Sequence, residues 1–265
     1  MHPDDKIYGR TSNYPNICTF MNFVEIRRQF GFKSIELGQW VTPKERDRAA
    51  LNFHQALVDL MHVLKVPESV ISLRGSLGLQ YGKGGQLGVS AHYMPAVKKL
   101  SLTKNAGAGS LAHEWFHAFD HYMADKMFPI ADRMVFASKL WLNDYPYGPH
   151  NLNTLLAQCY ETILLSVDGK EPSPLFICSR ETDSRLNSFY YSKPEEMCAR
   201  AFEAFIEDCL PNSRFLVKGT IGTDEAKLGL YPNGEQRLMI NEMFQQYFSI
   251  LGDALASKQR KQENH

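Results

Sequence analysis

Leu111-Ala112-His113-Glu114-Trp115-Phe116-His117-Ala118-Phe119 is the stretch that decides how this chain is read. On a helix, residues four apart share a face, so the imidazoles of His113 and His117 can grip one divalent ion. Glu114, one residue after the first His, can reach a water on that ion and act as its base. The spacing is that of a zinc hydrolase. Leu111, Ala112, Trp115, Phe116, Ala118 and Phe119 make the helix apolar around most of its circumference, which predicts burial. Buried imidazole and carboxylate groups need partners. A metal would satisfy all three together; the competing reading is a core helix whose His side chains bond to backbone. Residues 103–110 before it read as a flexible lead-in.

A catalytic zinc usually has three protein ligands plus water. His121 lies eight residues after His113, on the same face but ~12 Å further along the axis. No Gly or Pro follows His117 to bend the helix, so His121 is expected beside the site or at the surface. Asp120 is expected either to accept the outer N–H of a ligand His, fixing its tautomer, or to pair with a neighbouring helix. A better third ligand opens a later helix, Ser192-Lys193-Pro194-Glu195-Glu196-Met197-Cys198-Ala199. Ser192 and Glu195 have capping-box spacing, which gives Glu195 a job at the helix start, although Pro194 complicates the register. Glu196 is then the carboxylate left to turn inward, and the small Ala199 permits close helix approach. The competing reading has both glutamates complementing the helix N-terminus.

Composition narrows the alternatives. Lys+Arg and Asp+Glu both number 29, so the formal charge is zero. That argues against a nucleic-acid surface, which needs a basic excess. A hydrophobic content of 44% supports a packed core. No apolar run approaches the ~20 residues of a membrane span, and no signal-peptide core is visible. The five cysteines are scattered without CxxC spacing and read as reduced thiols, not a zinc ribbon. A cytoplasmic protein is expected.

The pattern outside the motif predicts one integrated α+β domain over 1–265, mainly helical. Its first 30 residues are read as an N-terminal extension and 257–265 as a frayed tail. An amphipathic segment covers 20–30 and a short strand lies within 32–40. Thr42, Pro43 and Glu45 open a helix with Leu51, Val58, Met61 and Leu64 on its stripe, ended by Pro67. Short alternating runs at 77–81, 88–93 and 98–103 predict a small, mostly antiparallel sheet just before the metal helix. Gly82-Lys83-Gly84-Gly85 lacks the spacing of a P-loop and opens no helix, so it reads as a hairpin turn. Further helices are expected over 130–143, 151–166, 194–209 and 234–251, with 167–192 rich in loop.

The motif helix also carries a resemblance. His113-Glu114-Trp115-Phe116-His117-Ala118-Phe119-Asp120-His121-Tyr122 resembles the gluzincin helix of the lethal factor group, His-Glu-x-x-His-Ala-x-Asp-x-Tyr. Glu196-Met197-Cys198-Ala199-Arg200-Ala201-Phe202 is similar to that group's Glu-x-x-Ala-x-Ala-Phe, whose first Glu is the third zinc ligand. The resemblance therefore assigns that role to Glu196. It also implies a tyrosine upstream that assists catalysis, for which Tyr190 and Tyr191 are the candidates, at a shorter offset than in the group. Arg200 departs from the pattern, where lethal factor has an acid. Over residues 30–208, Gly31-Phe32-Lys33-Ser34-Ile35-Glu36-Leu37, Gly107-Ala108-Gly109-Ser110 and Pro194-Glu195-Glu196 resemble the zincin-type large polyvalent protein-associated domain of phage and mobile-element proteins. That implies a zincin-like fold and a metallopeptidase.

Together these readings predict a zinc-dependent endopeptidase. Zn2+ would be held by His113, His117 and Glu196, with Glu114 as base and Tyr190 or Tyr191 as oxyanion donor. A protein or peptide substrate would add as a strand along 98–103 or 90–93, with no nucleic-acid or membrane partner. The protein would act in its own cytoplasm or be delivered into a host cell. The rival is a non-catalytic, metal-stabilised interaction module. A deaminase is weaker, because Pro-Cys-x-x-Cys is absent.

Overall fold

The computed structural model describes residues 21–39, 41–83, 91–102, 109–129, 134–211, 213 and 215–263. Helix α1 (Phe23–Phe30) opens with a capping box, Asn22 accepting from the Val24 and Glu25 amides while Glu25 reaches back to the Asn22 N–H. Its Phe23, Ile26 and Phe30 are buried in the common core. Helix α2 (Pro43–Leu64) starts on the Thr42–Glu45 box that its sequence announces and stops at Lys65 in the left-handed region. Its buried stripe runs through Phe53, Leu57, Leu60 and Leu64, while Leu51 is exposed. A single turn, α3 (Glu68–Ile71), follows.

The sheet is mixed, which corrects the expectation of a mostly antiparallel one. Strands β1 (Ile35–Leu37), β2 (Gly78–Tyr81), β3 (Ala91–Met94) and β4 (Lys99–Leu102) lie in the order β1-β2-β4-β3. β1, β2 and β4 are parallel; only β3 runs antiparallel, against β4. Gly82 and Lys83 therefore do not form a hairpin turn, since β2 has β1 and β4 as neighbours; Gly84 and Gly85 lie outside the described residues. The tight reversal sits instead at Pro95–Val97, a 3-10 turn that ends at Lys98 with φ 52°. Alternation reports which face a side chain takes, not which way the neighbouring strand runs.

Behind the sheet, α4 (Leu111–Met127) is buried over most of its surface. It packs against α8 (Pro194–Cys209), and α10 (Gly234–Glu263) crosses behind α8 and α6 (Asn151–Leu164). Aromatic rings knit these helices together, with Phe116 4.9 Å and Trp115 5.5 Å from Phe202, and Phe244 and Phe248 of α10 completing the cluster. Ala199, Ala201 and Ala204 are fully buried on α8, where small side chains let helices approach.

Several boundaries differ from the sequence reading. Within 130–143 only α5 (Ala137–Leu142) is helical among the described residues. The region read as loop contains α7 (Pro174–Leu186), capped by Ser173 with Pro at its first turn. That start signal was legible, but the helix has a weak apolar stripe. Between α8 and α10 lies a short turn, α9 (Asp224–Lys227). α10 continues to Glu263, beyond the 251 limit read from the sequence. No described helix is long and apolar enough to cross a membrane.

Candidate metal centre

The start of α4 is held by another part of the chain. Ser110 supplies no side-chain cap; instead the Ala112 amide donates to Leu216 O at 3.1 Å. Gly109 pairs with the same segment, donating to Phe215 O at 3.0 Å and accepting from Lys218 N at 3.1 Å. Its φ of +113° and a built Cβ only 2.1 Å from Lys218 N leave room for glycine alone. The segment 215–218 thus fixes where the metal helix begins.

One turn apart on α4, His113 and His117 bring their Nε2 atoms to 3.0 Å of each other. From α8, Glu196 places Oε2 3.3 Å from His113 Nε2 and Oε1 3.4 Å from His117 Nε2. These three residues form a group able to hold a metal ion, as the sequence proposed. The fit is chemical as well as spatial. Ligands bonded at about 2.0–2.1 Å to one tetrahedral ion stand about 3.3 Å apart; the carboxylate, with one oxygen towards each imidazole, lies at that range, and the two nitrogens are slightly closer. Two imidazole nitrogens facing each other need a cation or proton between them, and Glu196 Oε2 is buried there without a hydrogen bond. The donor set, two nitrogens and a carboxylate oxygen, suits zinc and other transition metals; it does not name one.

Electrostatics follow from this crowding. Burial disfavours a charged His113, but the carboxylates of Glu203, Glu196 and Glu114 outweigh it and push the imidazole up to about 10. Burial likewise works against the Glu196 carboxylate, and His113 and His117 overcome it, holding it well below the usual range. Removing any one partner would leave the others as uncompensated buried charge.

The partner of the outer nitrogen is Glu203, which the sequence reading missed. His113 Nδ1 donates to Glu203 Oε2 at 3.0 Å, and the Tyr231 hydroxyl donates to the same oxygen at 3.2 Å. Glu203 lies seven residues after Glu196, two turns along one face of α8, and that spacing could have revealed it. Asp120 does not serve a ligand His. It is fully buried and accepts from the Ser138 amide and hydroxyl and the Tyr160 hydroxyl, tying α4 to α5 and α6. Burial and, more weakly, the charge of Glu195 raise it to about 6 against those three donors. His121 meets the Tyr93 hydroxyl through Nδ1 at 2.7 Å, and Glu114 accepts the Tyr93 amide at 2.6 Å.

The capping box proposed for α8 does not form. Its N-cap is Lys193, without a side-chain bond, because Ser192 turns to Asp183. That carboxylate accepts the amides of Tyr190, Tyr191 and Ser192 and the Ser192 hydroxyl, at 2.6–3.0 Å. Burial raises Asp183, but the four donors overcome it and hold it at about 2. Glu195 keeps a buried Oε2 without a hydrogen bond among the described residues.

Asp183 thereby shapes the loop that carries both candidate tyrosines. Burial and then the neighbouring Glu196 raise the Tyr190 phenol, although 45% of the residue is exposed. Tyr191 lies under the Arg200 guanidinium, 5.7 Å from its ring centroid. Of the two, Tyr190 is the one within reach of Glu196. Arg200 is a buried tie: its guanidinium donates to Leu230 O, Ser179 Oγ and Tyr191 O. Through these bonds it ties the Leu230 and Tyr191 loops to α8.

Residues 182–255 match the family model of large polyvalent protein-associated domain 1. The matched segment carries Asp183, Tyr190, Glu196, Arg200, Glu203 and Tyr231, and it leaves His113, Glu114 and His117 outside. No curated protein and no solved structure matches the chain.

Proposed function

We propose that the protein is a metal-dependent peptidase, with His113, His117 and Glu196 as ligands and zinc as the metal. The observation that carries the reading is the convergence of these three side chains, from two helices far apart in the sequence, beside a glutamate one residue from the first ligand. Bound there, a zinc ion would polarise a substrate carbonyl and lower the pKa of its water.

The chain's own residues divide the remaining work. Glu203 and Tyr231 hold the proton of His113 on Nδ1, which leaves Nε2 free to ligate. Glu114 takes a proton from the attacking water and returns it to the leaving amine. Tyr190, set in place by Asp183, donates its hydroxyl to the developing oxyanion. Burial and Glu196 both oppose ionisation of the Tyr190 phenol, so it keeps its proton well above neutral pH. Among the described residues β3 and β1 are the edges of the sheet while β4 is paired on both sides; of the two edges β3 is the one bonded to Glu114, so β3 is where an extended peptide would add. Strand-edge recognition favours protein over small-molecule substrates.

Metal analysis and cleavage assays on three proteins test this. The wild type should hold close to one zinc per chain and cleave an unfolded protein substrate. Glu114→Gln should keep the zinc and lose about 10²–10⁴-fold in kcat, and Glu196→Ala should lose both. Cleavage that is indifferent to Glu114→Gln would remove the peptidase reading and leave a metal-stabilised interaction module.

A further inference from the structure

The bond between Glu114 and the sheet goes beyond placing a base near a metal. The carbonyls of Lys98, just before β4, and of Leu102 at its end accept from Gly78 and Gly82, so these alternate positions turn towards β2. Leu100, between them in the alternation, turns the same way. Tyr93 sits opposite Leu100 and so belongs to a pair that exchanges no ladder bonds. Its amide points away from β4, out of the sheet edge, where Glu114 Oε2 accepts it at 2.6 Å. The other end of the same residue is also tied to α4, the phenol meeting His121 Nδ1 at 2.7 Å with ring centroids 5.6 Å apart. Glu114 and His121 are seven residues apart, two turns along one helix face.

We propose that Tyr93 is the positioning residue for Glu114: its amide aims the carboxylate, and its phenol, held by His121, keeps the strand in register with the metal helix. The inference rests on the peptidase reading and deepens it. A charge-assisted bond from a backbone donor is short and fixed in direction, so the base needs no reorganisation when substrate arrives. It also has a cost for recognition. The outward amide of Tyr93 is occupied, so a peptide adding at this position of β3 is held by the Tyr93 carbonyl and not by its N–H. His121, which cannot reach the ion, acquires a role through Tyr93.

Backbone amide exchange tests the bond without metal or substrate. In the wild type the Tyr93 amide should exchange about tenfold more slowly than in Glu114→Ala, with Glu114→Gln, which keeps an acceptor, close to wild type. Equal exchange in wild type and a folded Glu114→Ala would overturn the proposal. Tyr93→Pro removes the phenol and the amide, and Tyr93→Ala the phenol alone, so the difference between them isolates the amide; that N–H takes no part in the β3–β4 ladder, and proline is tolerated on edge strands. Compared with Tyr93→Ala, Tyr93→Pro should lower kcat on an unfolded casein substrate about tenfold with KM within twofold, while Tyr93→Phe, which removes only the hydroxyl that meets His121, should lose less. Identical kcat for Tyr93→Pro and Tyr93→Ala would remove the positioning role. If the exchange result holds but the wild type cleaves nothing, the peptidase reading fails and Tyr93 is left as a structural strap.

Discussion

Glu203 shows how much a single carboxylate can contribute at the residue scale. It fixes the tautomer of His113 and offsets the charge that a metal or proton brings to the ring. Such partners typically contribute 10–100-fold to metal affinity. Glu203→Gln should therefore weaken zinc binding by about that factor in a chelator competition, with Glu196 and His117 still in place. Asp183 has a different signature. Its folded value of about 2 lies below its ordinary 3.8, so the stability it contributes is present above about pH 4 and lost as pH falls towards 2. The shift corresponds to about 2 kcal/mol. Urea unfolding of wild type and Asp183→Asn should show a stability gap at pH 6 that narrows below about pH 4 and is nearly closed at pH 2; a constant gap would show that the four donors do not hold the loop through the charge.

Among elements, the start of α4 matters more than its length. Its first turn is satisfied by the 215–218 segment and not by a capping side chain, so the metal helix depends on chain that arrives a hundred residues later. Gly109→Ala brings a Cβ to 2.1 Å from the Lys218 backbone in a conformation that L residues resist. The variant should lose more than about 2 kcal/mol of stability and bind zinc less well, read by denaturant unfolding and metal titration. Normal stability would mean that the segment can shift away at little cost. The strand β3 is the other decisive element: it is the antiparallel edge, and both of its Tyr93 contacts run to α4.

For the whole molecule, the three candidate ligands come from two helices that the aromatic cluster clamps together, so metal binding at this group would be linked to folding. Zinc at a hundredfold excess over its Kd should stabilise the fold by about 2.7 kcal/mol, or roughly 5–10 °C in Tm. Glu196→Ala should lose that shift. A zinc-induced rise that survived in Glu196→Ala would place the bound metal elsewhere.

Local information was sufficient wherever the deciding interaction lies within a few residues. The α2 capping box and the facing of His113 and His117 follow from i+3 and i+4 geometry, and the chain reads them directly. The choice of Glu196 came from a motif resemblance that the geometry then met. What the chain could not disclose are pairings across large separations. The parallel direction of β1, β2 and β4, the capture of Ser192 by Asp183, the diversion of Asp120 to Ser138 and Tyr160, and the contact of Glu203 with His113 are set by helix and strand packing. A buried polar group must find a partner, but the sequence does not say which of several equivalent partners the packed core will bring within 3 Å.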